Sequence, residues 1–344
     1  MKTVRLGRTG LQVSRIGFGG IPIQRLVEPE AIRLVRRCLD LGVTFFDTAT
    51  GYSTSEERIG KALAGRRDQA IIATKTPARH RATALEHLEL SLKRLNVEVI
   101  DLWQLHNVST FEVYEQVLGP DGALEAAQQA LEAGHVRHIG VTSHSMDVAL
   151  EAVPSGHFET IQFPFNFVTH EPAQKLAPLA REHDVGFIAM KPLGGGMLSD
   201  ANLCIKYLLQ FDNVVPDPGF ERIKEVEEIA AIVAGSWSLS ASEREEIERI
   251  REEMGSRFCR RGGYCEPCPE GVRISLMMNL RSIWKRTRAE ALTSTSIAGA
   301  VEGAGHCIEC GECEEKCPYQ LPIRDMLVEN IAFYREALGA AGTG

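Results

Sequence analysis

Over roughly its first 220 residues the chain alternates short apolar runs with amphipathic stretches, and it does so eight times. The runs, rich in β-branched and aromatic residues, fall at 16–19, 43–46, 70–74, 99–105, 138–142, 160–163, 185–190 and 213–215. Between them, residues 31–41 and 84–95 repeat apolar side chains every three or four positions, the period of a helix, and 56–63, 124–133, 173–182 and 222–233 do the same more loosely. Strands separated by helices pair in parallel through crossovers. Eight such units in about 250 residues match an α/β fold of the (β/α)8 TIM-barrel type. A doubly wound open sheet is the alternative, but it brings a G-x-G-x-x-G turn after its first strand, and Phe18-Gly19-Gly20 is not one. Residues 4–13 read as a small hairpin closing the bottom of the barrel. Near Gly255 the composition shifts to Cys, Gly, Arg and Pro. This divides the chain into a barrel over 1–255 and a small helical tail domain over 256–344. The tail carries helices expected at 274–291 and 323–338 and an Ala/Gly/Thr end expected to fray.

In such a barrel the chemistry sits where the strands end at their C-terminal face. The second run ends in Asp47, with Tyr52 in the loop beyond; the third ends in Lys75, the fourth in His106, the fifth in Ser143 and His144. The sixth contains Gln162 and leads to Asn166, and the seventh leads into Lys191-Pro192. Tyrosine is a poor acid at its reference pKa of about 10. A neighbouring ammonium stabilises the phenolate, an aspartate can hold that lysine, and a histidine can orient a carbonyl or relay a proton. Together they suit protonation of a carbonyl that receives hydride. Singly, Asp47 reads as a helix cap, Lys75 as a rim ion pair and Tyr52 as a loop anchor.

These residues resemble the aldo-keto reductase family. The resemblance runs through Leu6-Gly7-Arg8-Thr9-Gly10, Phe46-Asp47-Thr48-Ala49, Gly51-Tyr52, Glu57 to Gly60, Thr74-Lys75, Leu105-His106, residues 139–143, Gln162-Phe163-Pro164-Phe165-Asn166 and Lys191-Pro192-Leu193-Gly194, covering about residues 1–235. It implies a nicotinamide-dependent interconversion of carbonyls and alcohols, with Asp47, Tyr52, Lys75 and His106 as the catalytic tetrad and Tyr52 as general acid/base. It also implies a cofactor surface of Gly20, Ser143, His144, Gln162, Met190, Pro192, Leu193, Gly194, Gly219, Arg222 and Glu225. Ser143 and Gln162 there match residues that bind the nicotinamide carboxamide. Two positions depart from the family. Met190 stands where an aromatic side chain usually stacks on the nicotinamide, a place sulfur can also fill. Around the adenosine phosphate, Gly219 and Glu225 stand where members that prefer NADP carry basic residues. Glu225 would repel a phosphate, while Arg222 and Lys224 are near enough in sequence to offset it. NAD and NADP both stay open, with a tilt toward NAD.

Seven of the nine cysteines lie between 259 and 317, and clustering of this kind in a large chain without a secretory signal means metal rather than disulfides. Residues 307–318 spell C-x2-C-x2-C-x3-C-P, the run of two-cluster bacterial ferredoxins, whose fourth cysteine serves the other cluster. The partner motif is Cys259-Arg260-Arg261-Gly262-Gly263-Tyr264-Cys265-Glu266-Pro267-Cys268-Pro269. Crossing over gives one complete [4Fe–4S] set, Cys268, Cys307, Cys310 and Cys313. It leaves Cys259, Cys265 and Cys317 for a second site whose fourth position is Gly262, where the related ferredoxin-like aldo-keto reductases of bacteria and archaea usually have cysteine. The expected iron content is therefore about four rather than about eight. Zinc is the alternative for these thiols. Cys38 and Cys204 read as core residues.

The balance of 38 basic against 46 acidic groups, net −8, with no basic run, argues against nucleic acid or an anionic membrane as partner. The N-terminus has no signal-peptide pattern, and no apolar run nears the roughly 20 residues of a membrane span, so a cytoplasmic location is expected. Three functions are compatible with these features. The first is a carbonyl reductase or alcohol dehydrogenase with a structural cluster. The second is a redox enzyme passing single electrons to a ferredoxin or flavoprotein partner. The third is a non-catalytic scaffold.

Overall fold

A computed structural model describes residues 1–286 and 294–341. Two units make up the chain: Met1–Gly194 with Leu198–Arg244, and Gly195–Met197 with Glu245–Gly344. In the first, a hairpin of β1 (Thr3–Arg5) and β2 (Gln12–Ser14) precedes eight strands. These are β3 (Gly17–Gly19), β4 (Phe45–Asp47), β5 (Ile71–Thr76), β6 (Ile100–Leu105), β7 (Val136–Thr142), β8 (Thr160–Pro164), β9 (Gly186–Met190) and β10 (Val214–Asp217). They pair in parallel, in chain order. Gly19 and Gly219 form a further parallel bridge, and the Gly19 amide donates to the Pro218 carbonyl at 2.8 Å, so β10 meets β3 and the barrel closes.

The helices follow from the spacing of their apolar residues. Glu28–Asp40 carries a proline in its first turn, where no donor is lost, and turns Ala31, Leu34, Val35, Cys38 and Leu39 into the core. Arg81–Leu95 ends on Asn96, which takes the left-handed conformation of a C-cap. Inside the barrel, Phe45, Ala73, Leu102, Ile188 and Val215 pack with Leu6 and Val13 of the hairpin, so the hairpin plugs the N-terminal end. Cys38 and Cys204 are fully buried and belong to the packing, and burial pushes both thiols far up.

In the second unit, Val272, Ile274, Met277, Leu280, Ala300, Leu321, Ile323 and Leu327 form a small core. Against it pack Cys259, Cys268, Cys307, Cys313 and Cys317. Its helices include Ile274–Met278, Leu280–Arg286, Thr295–Ala304 and Ile323–Ala341. The single helix expected over 274–291 is thus broken at Asn279, whose side chain turns back to the Ser275 carbonyl at 2.8 Å; its residues 287–291 lie outside the described residues. The end expected to fray overlaps residues 342–344, which also lie outside them. Among the described residues, no helix is long and apolar enough to cross a membrane.

Candidate active site and cluster ligands

The four residues expected to be catalytic converge at the C-terminal ends of β4, β5 and β6. Lys75 Nζ donates to Asp47 Oδ2 at 2.5 Å and to the Thr48 carbonyl at 2.7 Å, with both side chains of the ion pair almost entirely out of water. The same Nζ lies 5.2 Å from the centre of the Tyr52 ring. The Tyr52 and His106 rings meet edge to face at 5.8 Å. Burial works against the Lys75 ammonium, but Asp47, with Tyr52 and Asp217, more than offsets this and holds its pKa above the ordinary value. His106 is pushed down to about 3 by burial and by the charges of Lys75, Arg79 and Lys191. It is therefore a neutral imidazole at working pH, fit to donate or accept a hydrogen bond but not to act as a cation. The pH profile of kcat/KM should accordingly show no break near pH 6.5 from this residue; a limb there that disappears in His106→Gln would contradict the neutral form.

The expected cofactor residues are placed as follows. The Gly20 amide donates to the Asp47 carbonyl at 2.7 Å. A Cβ at Gly20 would stand 2.7 Å from that oxygen and from Ser55 Oγ, so only glycine lets this turn pack against β4. The Ser143 amide donates to the Gln162 carbonyl at 3.1 Å, and Ser143 Oγ donates to the Ser145 carbonyl at 3.1 Å. Gln162 turns inward, its Nε2 donating to Asp47 Oδ2 at 3.2 Å and Asp217 Oδ2 at 3.4 Å. Gln162 Oε1 is buried with no partner among the described residues, an acceptor of the kind that a carboxamide N–H would satisfy. His144 bonds Lys191 through Nε2 at 2.7 Å and Asn107 through Nδ1 at 3.1 Å. Lys191 has φ +56°, a left-handed conformation uncommon for a side-chain-bearing residue. It opens the Pro192-Leu193-Gly194 turn, which the Gly194 amide closes on the Lys191 carbonyl at 2.9 Å. The Met190 carbonyl accepts from the Phe165 amide at 3.1 Å. Asn166 is committed to backbone groups, donating to the Lys191 carbonyl at 3.0 Å and accepting from Val168 and Thr169. A Cβ at Gly219 would press on Pro22. Glu225 accepts Arg222 Nε at 2.9 Å and Nη2 at 2.8 Å, together with the amides of Glu221 and Arg222. Arg25 pairs with Glu221.

Two residues enter the site that strand-end reading missed. Gln104 donates to Asp47 Oδ1 at 3.2 Å, and Asp217 closes β10 beside the same carboxylate. A polar residue inside an otherwise apolar strand was the signal available for Gln104; Asp217 stands just beyond the last apolar run, at the end of β10.

In the second unit, one cavity is lined by Cys265, Cys268, Cys307, Cys310 and Cys313. All four thiols of the expected complete set are among them, and Cys313 is close enough to Cys307 and Cys310 to feel their charge. In the other set, Cys259 feels Cys317 and Cys265 feels Cys259. The Arg261 amide and Asn279 Nδ2 point at Cys259 Sγ from 3.4 and 3.6 Å, donors of the kind that stabilise a cluster thiolate. The thiol chemistry of the two sets is that of iron–sulfur ligation, while among the described residues no three of them are gathered as a metal site, and Cys265, which the cross-over spacing gives to the other set, shares the cavity of the first. At Gly262 the place of a side chain is taken: a Cβ there would overlap Tyr264 Cε2 and stand 2.7 Å from Cδ2.

The chain thus combines an eight-stranded parallel barrel bearing a polar site at its C-terminal end with a cysteine-rich unit. The aldo/keto reductase family model matches residues 15–212, and a model described as a 4Fe-4S dicluster domain matches 258–322. The aldo-keto reductase YhdN of Bacillus subtilis is 32% identical over 254 residues, covering 67% of this chain and 74% of its own. An aldo-keto reductase from Bacillus halodurans, solved in its holo form, superposes with a TM-score of 0.64 at 27% identity over 73% of this chain and 96% of its own. One from Klebsiella pneumoniae, solved with NADP and acetate, superposes at 0.63 and 24% identity over 73% and 95%. The chain belongs to the aldo/keto reductase family.

Proposed function

We propose that the protein interconverts a small aldehyde or ketone and its alcohol using a nicotinamide cofactor. The observation that carries this reading is the buried Lys75–Asp47 pair set beneath the Tyr52 ring, with His106 at the ring's edge. When bound, the nicotinamide supplies or takes up hydride. Tyr52 gives its phenolic proton to the developing alkoxide, and Lys75, held by Asp47 and the Thr48 carbonyl, stabilises the phenolate left behind. Neutral His106 donates an N–H toward the carbonyl oxygen and fixes its approach. Gln162, whose Oε1 lacks a partner among the described residues, and Ser143 would hold the carboxamide. Titration of the anaerobically purified protein with NADH and NADPH, with turnover of a panel of aldehydes and ketones, tests the reading. Failure of both nucleotides to bind would leave the scaffold alternative.

The Arg222–Glu225 pair bears on cofactor choice. With Glu225 holding the guanidinium, a 2′-phosphate would meet a neutralised pair rather than a free cation, which favours NADH. Glu225→Gln releases Arg222 and should improve the NADPH/NADH ratio of kcat/KM by about tenfold, the scale of one charge near a phosphate. An unchanged ratio would remove Arg222 from the phosphate site.

The cysteine-rich unit supports a second role. An iron–sulfur cluster exchanges single electrons. Cys310 is exposed and its neighbour Ile308 is 62% exposed, so the first cluster site has an open edge that a ferredoxin or flavoprotein could approach. A cluster that dithionite cannot reduce would confine it to a structural role.

A further inference from the structure

Asp217 is a buried carboxyl that the tetrad chemistry does not use. It ends β10, is 6% exposed, and faces into the barrel, where a Cβ on Gly17 would lie 2.8 Å from its Oδ1. One amide nitrogen, Gln162 Nε2, serves both Asp217 Oδ2 and Asp47 Oδ2. Asp217 Oδ1 has no partner among the described residues. The charged groups acting on Asp217 from the strands around it are Asp47 on β4 and Lys75 on β5. Lys75 directs its hydrogen bonds to Asp47 and the Thr48 carbonyl instead. Two carboxyls out of water therefore share one ammonium, and like charges this close do not both ionise.

We propose that Asp47 and Asp217 hold one proton between them, and that Asp217 is a positioning residue that sets the charge Lys75 presents to Tyr52. The proton sits on Asp217, because Asp47 has Lys75, Gln104 and Gln162 as donors, while Asp217 has one long amide contact and otherwise meets the Asp47 carboxyl itself. Burial first, then Asp47, raise Asp217 well above the usual carboxylate range, with Lys75 opposing. With Asp217 neutral, Lys75 faces one anion and its ammonium stays committed to it. Ionisation of Asp217 at alkaline pH adds a second anion and makes Tyr52 harder to deprotonate. The catalytic consequence rests on the function proposed above; the shared proton does not.

The test compares wild type with Asp217→Asn, which keeps the shape and neutrality of the acid but cannot ionise. The native chain keeps a proton that the unfolded chain releases once the pH passes the reference carboxylate value near 4. Between there and the raised native value, the wild-type folding constant should fall about tenfold per pH unit relative to the variant. Parallel stability–pH curves overturn the proposal. An infrared band of a protonated carboxylic acid should be present in the unaltered protein at neutral pH and keep the proposal testable if the variant fails to fold; its absence overturns it. Neither readout uses nicotinamide. In turnover, the basic limb of the kcat/KM profile should move to lower pH in the variant. A limb that stays put while kcat falls would leave Asp217 structural and overturn its positioning role.

Discussion

Tyr52→Phe should bind NADH as the wild type does and lose about 10²–10⁴-fold in kcat/KM for carbonyl reduction, the usual worth of a positioned general acid. The phenol ring touches Lys75 and His106 through its face and edge, contacts that phenylalanine keeps, so the loss should fall on the proton and not on the fold. The split between parameters discriminates further. A proton donor acts in the transition state, so kcat falls with KM nearly unchanged. A loop anchor, the bland reading of Tyr52, would instead raise KM and lower stability with kcat spared. Stopped-flow reduction under single-turnover conditions, paired with a fluorescence titration of NADH, separates the two. Wild-type turnover in the variant would end the assignment of Tyr52 and, with it, the tetrad reading. Lys75→Met should be at least as damaging, because it also strips the buried Asp47 carboxylate of its cation, leaving an unpaired charge out of water.

Much of the barrel was legible because period and polarity agree. Most strands are buried apolar runs, and several end where a polar residue reaches the rim, so Asp47, Lys75 and His106 could be read off in sequence. Asp217 and Gln104 escaped that reading. The last apolar run stops at Val215, yet Pro216 and Asp217 continue β10, with Asp217 in register with Met190. Gln104 escapes for a different reason, as a polar side chain inside the 99–105 run that becomes β6. Strand periodicity shows which face a residue takes, but not that the inward face near the rim changes from apolar to charged. Hydrogen bonding across strands decides that: Asp47 gathers Lys75, Gln104 and Gln162 from β5, β6 and β8, residues up to 115 positions apart in sequence. The break at Asn279 was equally invisible to helical periodicity, since it goes with a side chain bonding the carbonyl of Ser275, four residues back.

Iron analysis should give about four irons per chain, and the two cysteine sets should respond unequally to mutation. Cys268→Ser removes one of four thiolates from the set that also holds Cys307, Cys310 and Cys313, and iron should fall toward zero. Cys317→Ser touches the set that already lacks a ligand at Gly262, and iron should stay near four. If instead Cys317→Ser empties the protein while Cys268→Ser does not, the cross-over division of ligands is wrong. Beside the missing thiol at Gly262, the Tyr264 ring also occupies the space a side chain there would take. Tyr264 lies over Gly262, so a β-carbon there requires the ring to move aside, and Gly262→Cys alone should raise the iron content less than it does with the ring removed. Gly262→Cys combined with Tyr264→Ala opens the space and supplies the fourth thiolate, and iron should rise toward about eight. The comparison separates the missing thiolate from the Tyr264 ring as the obstacle to a second cluster. If the single variant already reaches that count, the absent ligand was the whole obstacle and the ring yields. If only the double variant does, the aromatic ring and the glycine act together to keep the second set from binding four irons. A wild-type count near eight would show that three thiolates and a non-cysteine ligand suffice, and the Arg261 amide and Asn279, both aimed at Cys259 Sγ, would then be the groups holding that set in place.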